Sequence, residues 1–314
     1  MTVEQTKHII VGSGFGGLCL AAQLKLRGEH DFIILEKSDS IGGTWRDNIY
    51  PGAECDVPSP LYSYSFWPNP HWQHKWSNQQ QIISYIHAFA DAHKLQDHVL
   101  YGHEVNSAAY NETLKHWRVK TEIGNFQCQF LSFAVGQLHH PSFGDLGGLD
   151  EYQGEYIHSA RWPEGYDCSD KRVAVIGNAA SAVQLIPEVA ESAKALTVYQ
   201  RSPNWCLPKR NREYTKFELR LAERFPIIAQ LYRFNLWAQG EYALYSMIRG
   251  RWPFTSLGEW VAKKQIENLV SDPVLREKLV PNYPIGAKRI LFATDYFKAP
   301  VSYTHLTLPT IYAV

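Results

Sequence analysis

The feature that most constrains the fold is a glycine-rich turn between an apolar strand and a helix. Residues 9–11 are apolar and lead into Gly12-x-Gly14-x-x-Gly17, after which a helix is predicted over 18–26. This order of elements is typical of dinucleotide binding. The first glycine permits a tight turn, the second lets a pyrophosphate approach the backbone, and the third lets helix and strand pack closely.

A carboxylate follows where nucleotide recognition requires one. The next predicted strand, 31–36, ends in Glu36. A carboxylate at this place accepts hydrogen bonds from both ribose hydroxyls of an adenosine. A glycine turn in an ordinary α/β protein would not need the strand, the helix and the acid together.

The same pattern returns in the second half of the chain. Apolar residues over 173–176, preceded by Lys171 and Arg172, lead into a turn that starts at Gly177, and a helix is predicted over 183–193. Ala179 replaces the second glycine of the pattern, so its methyl group narrows the approach to a pyrophosphate. We therefore expect a second dinucleotide unit with a lowered affinity for its cofactor.

The residue after the next strand distinguishes the two cofactors. The predicted strand over 195–200 ends at Arg201, in the place that Glu36 takes in the first unit, and Ser202 follows. A guanidinium suits the 2′-phosphate of NADP, whereas a carboxylate suits the unphosphorylated ribose of FAD. The sequence therefore predicts an α/β fold with two Rossmann-like dinucleotide-binding domains, the first for FAD and the second for NADP(H).

Composition excludes several other classes of protein. Lys and Arg number 31, as do Asp and Glu, so no basic field indicates nucleic acid or an anionic membrane. No apolar run approaches the ~20 residues of a membrane span, and the start of the chain has no signal-peptide core. The five cysteines are too far apart for CxxC sites, and His71-x-x-His74 lacks a third ligand. We expect a cytoplasmic protein without a metal site.

A motif between the two units carries a family resemblance. It runs Tyr152-x-Gly154-x-x-x-His158-x-x-x-Trp162-Pro163. With it the chain resembles the flavin-dependent Baeyer–Villiger monooxygenases, whose fingerprint has Phe at the first position. The resemblance covers residues 7–299 and is strongest toward members that act on aryl ketones such as 4-hydroxyacetophenone. It implies an FAD-dependent, NADPH-consuming enzyme that inserts one oxygen atom of O2 next to a ketone carbonyl, through a C4a-peroxyflavin, to give an ester or lactone.

The resemblance also implies which residues line the site. Those implied to contact FAD are Gly12, Gly14, Gly17, Glu36, Gly43, Thr44, Trp45, Asp56, Tyr62 and Val105. Those implied to hold NADPH are Gly177, Asn178, Ser181, Gln184, Arg201, Ser202 and Lys288. Arg289 is implied to be the catalytic arginine, with Asp56 behind it to orient the guanidinium. We expect the linker residue His158 to couple two domains rather than to act as an acid or base.

The chain is expected to divide into five parts. These are an FAD-binding domain over 1–149, the first part of an NADP-binding domain with the linker over 150–208, a helical insertion over 209–280, a return to the NADP domain over 281–299, and a non-native tail over 300–314. The tail has no Asp, Glu, Lys or Arg and does not continue the family pattern, so we expect a chain truncated near Ala299. The ketone and the oligomeric state stay open.

Two other functions remain open at this point. One is an N- or S-oxygenating flavin monooxygenase that uses the same two cofactors. The other is an inactive nucleotide-binding fragment, or one that oxidises NADPH wastefully to hydrogen peroxide. The ratio of ester formed to NADPH consumed separates a working enzyme from such a fragment.

Overall fold

The computed structural model describes residues 3–144, 146–299 and the backbone of 304–307. The residues group into two compact units. The first comprises Met1–Ile49 and Gln79–Trp162, and the second comprises Tyr50–Asn78 and Pro163–Val314.

One segment belongs to a different unit from the one expected. The sequence analysis included residues 50–78 in the first domain, whereas the structure packs them within the second unit. The segment is joined to the side chain of Gln184, which accepts hydrogen bonds from Tyr50 OH and Glu54 N and donates one to Glu54 O. The boundary between the units falls between Trp162 and Pro163, inside the linker motif.

The first unit is built on a six-stranded sheet. Its strands are β1 (Val3–Val11), β2 (Phe32–Leu35), β3 (Val99–Leu100), β4 (Val105–Asn111), β5 (His116–Thr121) and β6 (Asn125–Phe133). In sheet order they run β3-β2-β1-β6-β5-β4. The pairs β1–β2, β2–β3 and β1–β6 are parallel, and β4–β5 and β5–β6 are antiparallel. The apolar end of β1 is fully buried at Ile9 and Ile10 because it lies centrally in the parallel part.

The helices of the first unit are α1 (Phe15–Leu26), α2 (Thr44–Asp47) and α3 (Gln79–Ala92). Helix α1 begins three residues before the predicted start at Leu18. Gly17, the third glycine of the glycine-rich turn, therefore belongs to the first turn of the helix, and Gly14 is its N-cap residue. This is possible because Gly17 has no side chain, since a Cβ there would lie 1.9 Å from the carbonyl oxygen of Gly12.

The strands of the second unit form two small parallel sheets. They are β7 (Arg172–Ile176), β8 (Ala195–Tyr199), β9 (Cys206–Leu207), β10 (Leu291–Phe292) and β11 (Thr304–Thr307). One sheet has the order β11-β8-β7, and the other pairs β10 with β9. Strand β11 falls within the expected non-native tail, and the other residues of that tail lie outside the described residues. The interpretation of the tail stays a prediction.

The helices of the second unit are α4 (Ala180–Ser192), α5 (Lys216–Arg224), α6 (Pro226–Gln239), α7 (Tyr245–Ile248), α8 (Phe254–Leu269) and α9 (Pro273–Leu279). The last five lie within the segment expected to be helical. Helix α5 begins with a capping box, in which Thr215 and Glu218 satisfy each other's backbone N–H groups. Within the described ranges, no helix is long and apolar enough to cross a membrane.

Candidate cofactor and catalytic site

The glycine turn of the first unit contains glycines needed for two different reasons. Gly12 has a φ of 101°, and a Cβ there would lie 2.6 Å from the Ala134 carbonyl oxygen. Gly17 has equally little room. A Cβ on Gly14, in contrast, would meet only the Gly43 Cα, at an ordinary contact distance of 3.7 Å. Steric packing therefore explains why residues 12 and 17 are glycines. Packing does not require a glycine at residue 14, where the backbone faces open space.

The open space at Gly14 fits a pyrophosphate. Gly14 is the N-cap residue of α1, and no side chain caps this helix end. The helix dipole favours an anion at this helix end. Gly43 lies against the same turn, and Thr44 and Trp45 follow it in α2.

We expect Gly14→Ala to weaken FAD binding without unfolding the protein. The new methyl group has room among the protein atoms, but it occupies the place from which a phosphate would approach. The expected loss is about tenfold in FAD affinity, equal to about 1.4 kcal/mol. Gly16→Ala is the matched control, because its Cβ also makes only an ordinary contact, 3.8 Å from the Ala134 Cβ. Equal FAD affinities for the two variants in a flavin titration would contradict this explanation of Gly14.

Glu36 lies at the end of β2 with its carboxylate buried and fully hydrogen-bonded. Its side chain is 5% exposed. Oε2 accepts from Ser13 N at 2.9 Å and Ser13 Oγ at 2.6 Å. Oε1 accepts from Ser38 N at 3.0 Å and Arg46 Nη1 at 3.2 Å. Burial opposes ionisation, but these hydrogen bonds outweigh it and hold the pKa of Glu36 below its usual value.

The remaining residues assigned to FAD lie in different parts of the structure. Val105 begins β4 and pairs with Thr121. Tyr62 belongs to the second unit, where its backbone N–H donates to Pro58 O at 3.2 Å. The contacts of both residues with a flavin stay predictions.

The turn of the second unit repeats the backbone of the first. Gly177 has a φ of 105°, close to that of Gly12. Ala179 has φ −77° and ψ −171°, and Gly14 has φ −78° and ψ −170°. Both are N-cap residues without a side-chain cap. Ala179 is therefore the structural counterpart of Gly14, and its methyl group occupies the position that Gly14 leaves bare.

We expect Ala179→Gly to tighten NADPH binding by a few-fold. Removing the methyl group gives the second turn the open backbone of the first, while the added freedom of glycine in the unfolded chain lowers stability rather than affinity. Ala180→Gly, at the next position, is the control because it adds the same freedom without clearing the turn. The dissociation constant of NADPH, measured by fluorescence titration, should fall for the first variant only. If it were unchanged or higher in Ala179→Gly, the methyl group would already be accommodated.

A hydrogen-bonded group joins the second turn to the end of β8. Asn178 Nδ2 donates to Gln200 Oε1 at 3.0 Å and to Ser202 O at 2.9 Å. Lys288 Nζ donates to Ser202 Oγ at 2.6 Å, and the Arg201 side chain beside it is exposed. Asn178, Ser202 and Lys288, which are all expected to hold NADPH, thus meet in one place, and Arg201 precedes Ser202 in the chain. A lysine and an arginine are both suited to a phosphate.

Two other residues assigned to NADPH have partners within the protein. The Gln184 amide accepts from Tyr50 OH at 2.8 Å and donates to Glu54 O at 3.0 Å. Ser181 also contacts the Tyr50 hydroxyl. In this structure the side chains of Gln184 and Ser181 connect the segment 50–54 to α4 by hydrogen bonds. Their contact with a nucleotide stays a prediction.

Arg289 and Asp56 form an ion pair in the second unit. Arg289 Nη2 donates to Asp56 Oδ2. The Asp56 side chain is 21% exposed and that of Arg289 is 65% exposed. The carboxylate thus holds one edge of the guanidinium, and most of the cation stays open to a reacting group. The catalytic role of Arg289 stays a prediction.

A second ion pair next to Asp56 was missed by the sequence analysis. Glu54 pairs with Lys209, whose side chain is 3% exposed. Burial lowers the pKa of Lys209 and raises that of Glu54, against the attraction between the two charges. Lys209 lies shortly after β9, among buried residues. A lysine within a buried stretch is the one sequence feature that indicates a buried ion pair with a carboxylate.

The linker residues lie on both sides of the unit boundary. A Cβ on Gly154 would lie 2.5 Å from the ring of Tyr152, an exposed side chain that has room to move aside. His158 Nδ1 accepts from Ala160 N at 3.1 Å, and its ring meets Phe143 with 5.4 Å between centroids. Trp162 ends the first unit and Pro163 begins the second. His158 thus has a structural contact within the first unit, and its coupling role stays a prediction.

Comparison with known proteins identifies the family. A model described as pyridine nucleotide-disulphide oxidoreductase matches residues 9–221. The chain belongs to this family. It is 39% identical over 298 residues to a Baeyer–Villiger monooxygenase of Streptomyces coelicolor, covering 94% of this chain and 57% of the relative.

Solved structures agree with the sequence relatives. The crystal structure of OTEMO complexed with FAD and NADP matches 98% of this chain and 65% of that chain, with 28% identity and a TM-score of 0.85. Cyclohexanone monooxygenase from Rhodococcus sp. Phi1 bound to NADP+ matches 98% and 66%, with 27% identity and a TM-score of 0.82. The resemblance to the Baeyer–Villiger monooxygenases and the α/β fold with Rossmann-like units are confirmed. The chain spans a little over half the length of the curated relatives it matches.

Proposed function

We propose that the chain carries the FAD site, the NADPH site and the catalytic arginine of a Baeyer–Villiger monooxygenase, which converts a ketone to an ester or lactone. One observation carries the proposal. The adjacent residues Lys288 and Arg289 each have a partner from a different part of the second unit, Ser202 and Asp56. A phosphate-binding cation and a guanidinium are thereby held side by side in the chain.

The residues have distinct tasks under this proposal. The bare backbone at Gly14 and the carboxylate of Glu36 hold the pyrophosphate and ribose of FAD. Arg201, Ser202 and Lys288 hold the 2′-phosphate of NADPH. FAD held by these residues would supply the redox chemistry that accepts electrons from NADPH and activates O2. That these groups fit is supported by the open space at Gly14 and by the cations gathered near Ser202.

Arg289 then acts on the substrate. Attack on a ketone carbonyl places negative charge on the carbonyl oxygen, and a fixed cation beside it stabilises that charge. Arginine suits this task because it stays protonated at every working pH. Asp56 keeps the guanidinium in one orientation and leaves its outer face open.

The relatives also bear on partners and location. Their names support a small-molecule ketone and O2 as substrates. The balanced charge does not favour nucleic acid. All five cysteines are free, which is usual for a reducing compartment, so the proposal includes a cytoplasmic location.

The test is the visible spectrum of the purified chain after incubation with FAD and desalting. Retained flavin absorbance supports an FAD site formed by the residues present here. A colourless protein would contradict it. If flavin is retained, ester yield is compared with NADPH consumed. A ratio near one supports the monooxygenase, and NADPH oxidation that yields only hydrogen peroxide supports the inactive fragment instead.

A further inference from the structure

The carboxylate of Glu36 has no free acceptor position in this structure. A carboxylate offers about four lone-pair directions, two on each oxygen. Ser13 fills both positions on Oε2, through its backbone N–H and its hydroxyl. Ser38 N and Arg46 Nη1 fill both positions on Oε1. A ribose hydroxyl can therefore bind Glu36 only if one of these donors leaves.

The four donors differ in how easily they can leave. The N–H groups of Ser13 and Ser38 belong to the backbone and are fixed by the turn and by the end of β2. Arg46 is held by three acceptors, since it also bonds Asp47 and the carbonyl oxygen of Ser40. The Ser13 hydroxyl is the exception, because it leaves by rotation about a single side-chain bond.

We propose that the Ser13 hydroxyl takes the place of the adenosine ribose hydroxyl on Glu36 and is displaced when FAD binds. Ser13 is thus a residue that sets cofactor affinity by competition. This inference rests on the proposed role of Glu36 in binding ribose. The displacement costs free energy in the FAD-bound form. Ser13 is 0% exposed, so its displaced hydroxyl has to find another hydrogen-bond partner inside the protein.

The same hydroxyl stabilises the protein before FAD binds. It donates a hydrogen bond to the buried carboxylate of Glu36, and it contributes to the lowered pKa of that group. The Ser13 hydroxyl therefore favours the cofactor-free form in two ways. It stabilises that form, and it occupies an acceptor position on Glu36 that a ribose hydroxyl would use. Alanine at this position is expected to reverse both effects.

The experiment compares FAD and FMN binding by wild-type protein, Ser13→Ala and Ser38→Ala. Ser38→Ala is the matched control because Ser38 contacts Glu36 through its backbone N–H, which the substitution keeps. We expect Ser13→Ala to bind FAD about tenfold more tightly, equal to about 1.4 kcal/mol. FMN has no adenosine ribose, so its affinity should not change. The melting temperature without cofactor should fall in Ser13→Ala, and the rise on adding FAD should be larger.

Ser13→Cys provides a second variant in case alanine prevents folding. A thiol is a similar size but a weaker donor, so its FAD affinity should lie between those of serine and alanine. Unchanged or weaker FAD binding in both variants would overturn the competition, while FAD binding by the wild type would leave the proposed site intact. A wild-type protein that bound no FAD would overturn the proposed site and this inference together. Equal tightening of FMN would overturn the inference alone.

Discussion

Glu54→Gln is expected to lower the free energy of unfolding by about 3 kcal/mol at neutral pH. The substitution keeps the size of the side chain and the backbone bonds of residue 54 with Gln184. It removes the only negative charge paired with Lys209 among the described residues, and it leaves a buried ammonium group without its counter-ion. Urea denaturation followed by tryptophan fluorescence measures the loss.

The double variant Glu54→Gln/Lys209→Met separates charge from packing. Because methionine needs no counter-ion, the double variant should recover most of the stability that the single variant loses. A double variant as unstable as Glu54→Gln would show that the loss arises from packing. A loss below about 1 kcal/mol in Glu54→Gln would show that Lys209 is solvated in another way.

The pH dependence of the Glu54→Gln variant gives an independent check. An unfolded lysine titrates near pH 10.4, and burial lowers the pKa of Lys209 in the folded protein. Between these two pKa values the unfolded chain binds more protons, so stability rises with pH. Glu54 raises the pKa of Lys209 in the wild type, and its removal widens that range. The deficit of the variant should therefore shrink between pH 7 and about pH 9.5.

The two dinucleotide units were predictable because their pattern is local. Strand, glycine turn and helix follow one another within about 20 residues, and each glycine has a stated steric reason. The error at the helix starts has the same origin in both units. Helices α1 and α4 each begin three residues before their predicted starts, directly after the N-cap residues Gly14 and Ala179.

The contact between Asp56 and Arg289 was expected only because a family pattern supplied it, and the roles of the site residues stay predictions. Asp56 and Arg289 lie 233 residues apart, and no periodicity connects them. Glu54 and Lys209 have no such pattern, and their pairing depends on the packing of 50–78 within the second unit. The hydrogen bonds of Gln184 with Glu54 bridge 130 residues in the same way. Contacts of this kind are set by tertiary structure, so a single sequence does not reveal them.

Arg289→Ala is expected to lower ester formation by about 10²–10³-fold while NADPH oxidation continues. Under the proposed function, the alanine variant loses the cation that would stabilise charge on the ketone oxygen, but it keeps Lys288 and the other residues proposed to bind the phosphate. The O2 reduced by NADPH should then leave as hydrogen peroxide, instead of giving one oxygen atom to the ester and the other to water. The measurement is the ratio of ester to NADPH consumed, in a preparation that retains FAD.

Sulfide oxidation separates the role of Arg289 from a general loss of structure. A sulfide attacks oxygen as a nucleophile and develops no oxyanion on its own atoms, so we expect it to lose less than about tenfold in rate. Lys288→Ala is the matched neighbour. It should raise the Michaelis constant for NADPH without changing the ratio of ester to NADPH, because Lys288 faces Ser202 and not Asp56.

Two further variants test how Asp56 acts through Arg289. Arg289→Lys keeps a charge but loses the planar fork that Asp56 holds, so ester formation should fall between those of wild type and Arg289→Ala. Asp56→Asn should have a smaller effect in the same direction, since it frees the guanidinium without removing it. Ester formation near the wild-type rate in Arg289→Ala, or an equal loss of sulfide oxidation, would exclude Arg289 as the cation at the carbonyl. The oxyanion would then have to be stabilised by a different group, and the N- or S-oxygenating alternative would gain from that result.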